Sequence, residues 1–503
     1  MSERLLSPLA LAMVLSLSAC SLTPTYERPV SAVPGTLPEG IGAVQPDPSR
    51  PTVAVDQLPW TQYFPDQRLQ QLITLALDNN RDLRVAVLNI DRLQALYQVQ
   101  RADRLPTVNA QISGTRQPSS TPPYDLSTVV NGGLTISAFE LDLFGRVKAL
   151  TEAAAAQVLA TEANRRAVHT SLVAAVASTY YGLWADRWQL ALAEQTLSTR
   201  QESFKLQQLK FDNGVLNELD LRSAQSLVEA ARVAHAQARR QWQQDLNALN
   251  VLLGTPAPVA ALPPEVALPA LSSEQARDPQ AADHLVQATL WPALAELPVG
   301  LSSEVLLQRP EVAQAEQTLI AANANIGAAR AARFPRIALT ASAGVVSDEL
   351  SGLFNGDGRT AWSFAPAVTM PLFDFGRAAA NAEAATVQRD IAVAQYDKAI
   401  QTAFQDVADA LVARQTYAEQ ADAQRAQADA EAARLRLSTL RYDTGVSSQL
   451  DLLDAQRGLF VSQQALISAQ LARQQAHIAV YKALGGGWVG PAQPTSAEAS
   501  AAR

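Results

Sequence analysis

Toward the C-terminal end of the 503-residue chain, Asp451 and Asp454 stand three residues apart, with Arg457 three residues further on. On a helix that spacing puts both carboxylates on one face and brings the guanidinium beside them. Clustered carboxylates resist ionising together and attract cations, so the segment offers a cation-attracting surface. A plainer role competes with that reading. Ser448-Gln449-Leu450-Asp451 fits a capping box, and Asn217-Glu218-Leu219-Asp220 gives a similar N-cap with an acid three residues on, so Asp451 and Asp220 read equally well as helix-start chemistry. Asp454 is not explained that way, because its counterpart in an earlier, related segment is Ser223. Arg457 is placed either to pair with Asp454 along the helix or to cross to a neighbouring element.

No reaction centre emerges elsewhere. His169, His235, His284 and His477 are scattered, no H-E-x-x-H, Walker A or G-x-S-x-G sequence occurs, and three methionines are too few for a metal-relay lining. The chain therefore reads as non-enzymatic, without a metal or a dissociable cofactor. A net charge of −8 and the lack of any Lys/Arg-rich run exclude an electrostatic grip on nucleic acid.

The single cysteine, Cys20, rules out a disulfide framework within one chain, and its setting is informative. Arg4, an apolar stretch from Leu9 to Leu17 and the small residues Ser18 and Ala19 precede it, so residues 1–19 read as a secretory signal. Leu17-Ser18-Ala19-Cys20 resembles the bacterial lipobox, whose cysteine takes a diacylglycerol and an N-acyl chain such as palmitate and becomes the first mature residue. Ser21 stands where inner-membrane lipoproteins usually carry aspartate. Acyl chains contribute about 0.8 kcal/mol of membrane affinity per buried CH₂, so several together anchor the N-terminus at a lipid surface. No later run of 18 or more apolar residues suits a transmembrane helix, and any crossing must use strands.

The elements that position these residues come in two copies. Arg101-Ala102, Arg104 and Pro106 match Arg330-Ala331, Arg333 and Pro335 at an offset of 229, which then becomes 231 for Gly145-Arg146 with Gly376-Arg377 and Gly214 with Gly445. The same offset holds for Asp220-Leu221 with Asp451-Leu452, Ala224-Gln225 with Ala455-Gln456, and Leu253-Gly254 with Leu484-Gly485. The two-residue difference falls between Pro106 and Gly145, where a loop between strands tolerates it.

Each copy predicts the same order. A helix (66–104, then 303–333) stops before a proline. Two segments of period-two alternation follow, with Val108, Ala110 and Ile112 set against Asn109, Gln111 and Ser113, and Phe364 and Val368 set against Ala365 and Ala367. A helix from Arg146 to Phe211, or Arg377 to Tyr442, then extends roughly 100 Å at 1.5 Å per residue. Glycine turns at Asp212-Asn213-Gly214 and Asp443-Thr444-Gly445 lead into shorter return helices.

The expected organisation is a signal at 1–19, an extended proline-rich lead at 20–65 and a first repeat at 66–254 with strands within 107–142 and a tip at 212–217. An inter-repeat segment follows at 255–302, then a second repeat at 303–485 with strands within 336–374 and a tip at 443–449, and a tail at 486–503. The fold class is α+β. Four amphipathic strands cannot close a barrel in lipid, where the smallest single-chain barrels use eight, so the chain is expected to oligomerise.

Seven motifs then fix a resemblance: Asn80-Arg81-Asp82-Leu83-Arg84, Leu307-Gln308-Arg309-Pro310-Glu311, Ala321 to Arg330, Phe375-Gly376-Arg377, Val407-Ala408-Asp409-Ala410-Leu411, Leu452 to Arg457, and Ala483-Leu484-Gly485-Gly486-Gly487-Trp488. With them the whole mature chain resembles the TolC family of outer-membrane efflux proteins, in its OprM-like lipoprotein branch. The resemblance implies a homotrimer whose strands form a 12-stranded barrel in the outer membrane, continuous with a periplasmic helical barrel. It implies docking to a periplasmic membrane-fusion adaptor and an inner-membrane transporter of the RND type, and passive multidrug conduction that confers antibiotic resistance.

The resemblance also implies a gate at the helical tips. By position it comprises Tyr442, Leu450, Asp451, Asp454, Arg457 and Asp220, with Leu450 either an apolar constriction or plain packing. The turn residues Asn213, Gly214, Val215, Thr444, Gly445 and Val446 are the implied adaptor contacts. Heavy-metal efflux and type I protein secretion use the same architecture. A purely structural coiled-coil lipoprotein is the alternative from a different class, although it leaves the four strands unexplained.

Overall fold

In the computed structural model, residues 22–30, 33–34, 59–118, 120–266, 268, 291–295 and 303–486 are described. The signal, Cys20, most of the lead, much of the inter-repeat segment and the tail from Gly487 lie outside them. The described elements run α1 (Trp60–Tyr63), α2 (Gln67–Asn79), α3 (Arg81–Ala102), β1 (Val108–Pro118), β2 (Leu126–Leu141), α4 (Arg146–Asp212) and α5 (Glu218–Leu253). They continue as α6 (Pro310–Ala331), β3 (Arg336–Ser347), β4 (Arg359–Thr369), α7 (Arg377–Asp443) and α8 (Gln449–Ala483). The chain forms two compact units, one of Met1–Ser31, Val87–Asn164 and Glu311–Ala399, the other of Ala32–Ala86, Arg165–Pro310 and Ile400–Arg503.

In the first unit the strands make one antiparallel sheet in the order β1-β2-β3-β4. Its pairing aligns the alternation of all four strands. Val108 faces Ile136, Leu134 faces Ala343, and Ala343 faces Trp362, so apolar side chains share one surface of the sheet. On the other surface Asn109 faces Thr135, Thr135 faces Ser342, and the Ser342 and Ser363 hydroxyls lie 2.7 Å apart. Gly133 and Gly344 are paired, and a Cβ on either would overlap the facing backbone. Most of the apolar surface is bare, although Val130 on it is buried. Trp362 is 77% exposed and Phe364 62%.

Beside the sheet, Ala153 and Ala156 of α4 pack on Ala321 and Ala324 of α6, small side chains that let two helices approach closely. The segment 22–30 lies along α6 as a strap. Arg28 makes a bidentate pair with Glu316 (2.8 and 3.0 Å), Tyr26 Oη donates to the same carboxylate (3.0 Å), and Asn323 Nδ2 donates to the Pro24 carbonyl (2.7 Å). A Cβ at Gly327 would overlap Thr23. Gly327→Val is therefore expected to lift the strap and leave the helices intact, at a cost of about 1–3 kcal/mol. Limited proteolysis checks it, with new cleavage within 22–30 and unchanged far-UV circular dichroism. Unaltered protection of that segment would refute the assignment.

In the second unit, Tyr63 stacks on Tyr481 with ring centroids 4.2 Å apart, and its hydroxyl donates to the His477 carbonyl (2.9 Å). Tyr180 Oη donates to Asp66 (2.7 Å). Burial pushes these tyrosine hydroxyls above their ordinary range, so they serve as neutral donors.

Two expected helices are not continuous. The helix foreseen over 66–104 breaks at Asn80, whose ψ of 131° is extended. Asn80 Oδ1 accepts from Leu83 N to start α3, and its Nδ2 donates to the Leu252 carbonyl at the end of α5, so one buried amide caps one helix and ties another. The helix foreseen over 303–333 starts at Pro310 after a 3₁₀ turn, Ser303–Gln308. Between them Arg309 is buried, donating to the Ala403 carbonyl and to Asp406, each at 3.1 Å. Asn80 and Arg309 thus do structural work inside two of the recognised motifs.

Candidate functional site

The helical tips have the turn chemistry that their sequences demand. Gly214 and Gly445 both adopt a φ of 74°, a left-handed conformation that suits glycine. Val215 N then donates back to Lys210 O (2.9 Å) and Val446 N to Arg441 O (2.8 Å). Asn213 Nδ2 and Thr444 Oγ1 cover the carbonyls of Leu209 and Leu440. Around these satisfied carbonyls the tips present Val215, Leu219, Val446 and Leu450 outward, all at least two-thirds exposed.

Each return helix begins with a cap. Asn217 accepts from Asp220 N (2.9 Å), while Ser448 and Asp451 form a reciprocal capping box. Asp451 accepts from the Ser448 hydroxyl and backbone N–H, which hold its carboxyl below the usual carboxylate range. It stays ionised, and its backbone role leaves the outer side of the carboxylate open to water.

Asp454 is different. It pairs with Arg434 of α7, and Arg434 also holds Glu431 (3.2 Å), so a charged clasp joins the two helices of the second hairpin. Arg457 lies along the same helix, 4.0 Å from Asp454. Where the second hairpin has Glu431, Arg434, Asp454 and Arg457, the first has Arg200, Ser203, Ser223 and Ser226. The clasp therefore belongs to the second hairpin alone.

Several polar contacts join the hairpins. Gln449 Nε2 reaches the Asp220 carbonyl (3.5 Å), Lys210 Nζ lies 5.5 Å from the Tyr442 ring, and Gln189 Nε2 donates to the Gln464 carbonyl (3.0 Å). Arg200 is buried over the Phe460 ring (5.3 Å) and donates to the Leu227 carbonyl (3.1 Å). Sequence reasoning missed Arg434, Lys210, Gln449 and Arg200. Arg434 had a signal, since it and Asp454 lie equally far from Thr444 on opposite arms of the hairpin. Among the described residues no three metal-ligating side chains converge, and no helix is long and apolar enough to cross a membrane.

Residues 72–255 and 301–486 match the family described as "Outer membrane efflux protein". The chain belongs to this outer membrane efflux protein family. It is 44% identical over 494 residues to the antibiotic efflux pump outer membrane protein ArpC of Pseudomonas putida, covering 97% of this chain and 96% of that protein. It is also 44% identical over 494 residues to the toluene efflux pump outer membrane protein TtgC of Pseudomonas putida, with the same coverage. Among solved structures it superimposes on the open-state outer membrane channel MtrE of Neisseria gonorrhoeae with a TM-score of 0.80 and 40% identity, covering 94% of this chain and all of that one. The described helices and sheet are thus the efflux-channel fold, the protein is an outer-membrane protein, and it is a conduit and not an enzyme. The alternative of a purely structural lipoprotein is set aside.

Proposed function

We propose that the chain is the outer-membrane exit duct of a tripartite multidrug efflux pump, passing small molecules delivered by a periplasmic adaptor and an inner-membrane transporter of the RND type. The observation that carries this reading is the sheet. One of its surfaces is apolar and mostly exposed, the other is polar, and among the described residues β1 and β4 end it without partners. In lipid such edges must be closed, and three copies supply the twelve strands of a barrel with apolar side chains outward and a polar lumen. The repeats 66–254 and 303–485 then supply strands and helical wall alike. Acylation of Cys20 anchors the N-terminus in the same membrane, and the strap 22–30 holds the chain against α6 close behind it.

The exposed apolar tip residues, including Val215 and Val446 beside Asn213, Gly214, Thr444 and Gly445, suit an adaptor surface. Tyr442, Leu450, Asp451, Asp454, Arg457 and Asp220 line the closed aperture, and the Arg434 clasp holds the second hairpin rigid as it moves. Transport energy comes from the partner complex. Deleting the gene and measuring susceptibility to antibiotics, dyes, copper and silver side by side tests the reading. Sensitisation to antibiotics and dyes is expected, whereas a phenotype confined to metals would replace multidrug efflux with heavy-metal efflux.

A further inference from the structure

The join between the two repeats occurs once inside the chain, where β2 of the first meets β3 of the second. There Ile136 stands opposite Ala341, and beyond a bulge Phe139 stands opposite Leu339. The open edges, β4 of the second repeat and β1 of the first, are the two halves of the same join. If three copies close a ring, the internal seam is a template for the seam between copies.

The correspondence of the repeats is fixed independently of the seam. From the motif Arg101 to Pro106, β1 maps onto β3 at 229 residues, so Val108 becomes Ile337. Since Val108 pairs with Ile136 and Ile337 with Val368, Ile136 maps onto Val368. β4 lacks the one-residue bulge of β2, and past it Phe139 maps onto Met370 at 231 residues, the spacing that also relates Gly145 to Gly376. Transferring Ile136 opposite Ala341 then puts Val368 opposite Ile112. Transferring Phe139 opposite Leu339 puts Met370 opposite Ala110. The two ends of the template give one register, and each transferred pair joins residues of the same sheet surface, as a ladder with period two requires.

A side-chain contact repeats the pattern. Phe144 and Phe334 stack across the internal join with centroids 4.8 Å apart. Their counterparts are Phe375 and Leu105, and both are left bare, Phe375 at 103% exposure and Leu105 at 70%. Phe375 also holds a φ of 53°, a conformation that an aromatic residue rarely adopts. One element is not transferred. Glu140 bridges Arg146 and Arg336 at the internal join, whereas Pro371 and Thr107 occupy the positions of Glu140 and Arg336 at the open edges.

We propose that β4 pairs antiparallel with β1 of a second copy of this chain in the register that sets Val368 opposite Ile112, Met370 opposite Ala110 and Thr369 opposite Gln111, and that Phe375 closes on Leu105 of that copy. This rests on the trimeric reading above. Lacking the Glu140 bridge, the seam between copies depends on backbone pairing and this apolar clasp.

The test uses full-length protein in isolated outer membranes, where Cys20 is the only native cysteine. Combining Gln111→Cys with Thr369→Cys is expected to give covalently linked dimers and trimers on mild oxidation. A slipped pair, Gln111→Cys with Ala367→Cys, is expected to give at least about tenfold less, because residues two apart along a strand sit beyond disulfide reach. A higher yield from the slipped pair overturns the register. Amine cross-linking of the wild type separates the two failures, since trimers without a disulfide at the proposed pair refute the seam alone, and absence of trimers refutes the trimeric reading. Phe375→Ala is expected to lower the temperature at which trimers dissociate in detergent, with Phe375→Leu restoring it. An unchanged temperature for Phe375→Ala refutes the clasp.

Discussion

Replacing Asp454 with alanine is expected to raise the resting conductance of the channel in planar bilayers and to weaken its block by a divalent or hexammine cation by about tenfold. In the proposed trimer, three chains would bring up to six carboxylates from Asp451 and Asp454 to one ring, and like charges held close together bind cations to relieve their repulsion. The structure adds a competitor. Arg434 sits on Asp454, so part of the ring's charge is already neutralised from inside the protein. Removing that arginine should act in the opposite sense on block, with Arg434→Ala binding the cation more tightly than the wild type because Asp454 is freed. Both variants should raise resting conductance, since each breaks the clasp between the arms of the second hairpin. If Asp454→Ala leaves conductance and block unchanged, the aperture does not run through this residue. Asp451 gives a less clean test, because its carboxylate also caps α8 and its loss perturbs the helix start as well as the charge.

What the sequence disclosed and what it concealed divide along a physical line. The turns at Gly214 and Gly445 were legible because a left-handed residue must follow the helix there and glycine takes that conformation without strain. The strands were legible because Val108, Ala110 and Ile112 alternate with polar neighbours, and the sheet surface they share follows from that period alone. The breaks at Asn80 and Arg309 were not, since each depends on a carbonyl far away in sequence, Leu252 for one and Ala403 for the other. Asn80 is a weak helix former and a good N-cap, a local signal that the surrounding helical periodicity masks, and its tie to α5 holds the extended residue in place. The two-residue shift between the repeats resolves in the same way. It combines a longer β3–β4 hairpin with the bulge near Ala138, and a bulge is a matter of pairing that no single strand reveals. At the tip, Asp454 stood out by comparison with Ser223, but its partner Arg434 lies on the opposite arm of the hairpin, where helical spacing rules do not reach.

Asp186→Asn is expected to stabilise the detergent-solubilised protein far more at pH 8 than at pH 5. Asp186 of α4 is buried and faces Asp245 of α5. Burial first, and the neighbouring Asp245 carboxylate second, push its pKa up to about 8 from the ordinary 3.8. The folded state therefore keeps a proton that the unfolded chain has already released over that interval. Stability from this group is fully present below the unfolded pKa near 4 and is lost as pH rises through the folded pKa near 8. Asparagine keeps the neutral shape without requiring the proton, so the loss should vanish. At about 1.4 kcal/mol per pKa unit, and discounted because two carboxylates share the titration, the variant's advantage should grow by roughly 3 kcal/mol between pH 5 and pH 8. Thermal unfolding at the two pH values measures it. A gain of equal size at both would mean that the substituted amide merely packs better, and that Asp186 does not carry a raised pKa in the folded protein. A pH-dependent gain would identify the first hairpin's acid pair as a site where alkaline conditions loosen the helical wall, separate from the charged clasp that only the second hairpin possesses.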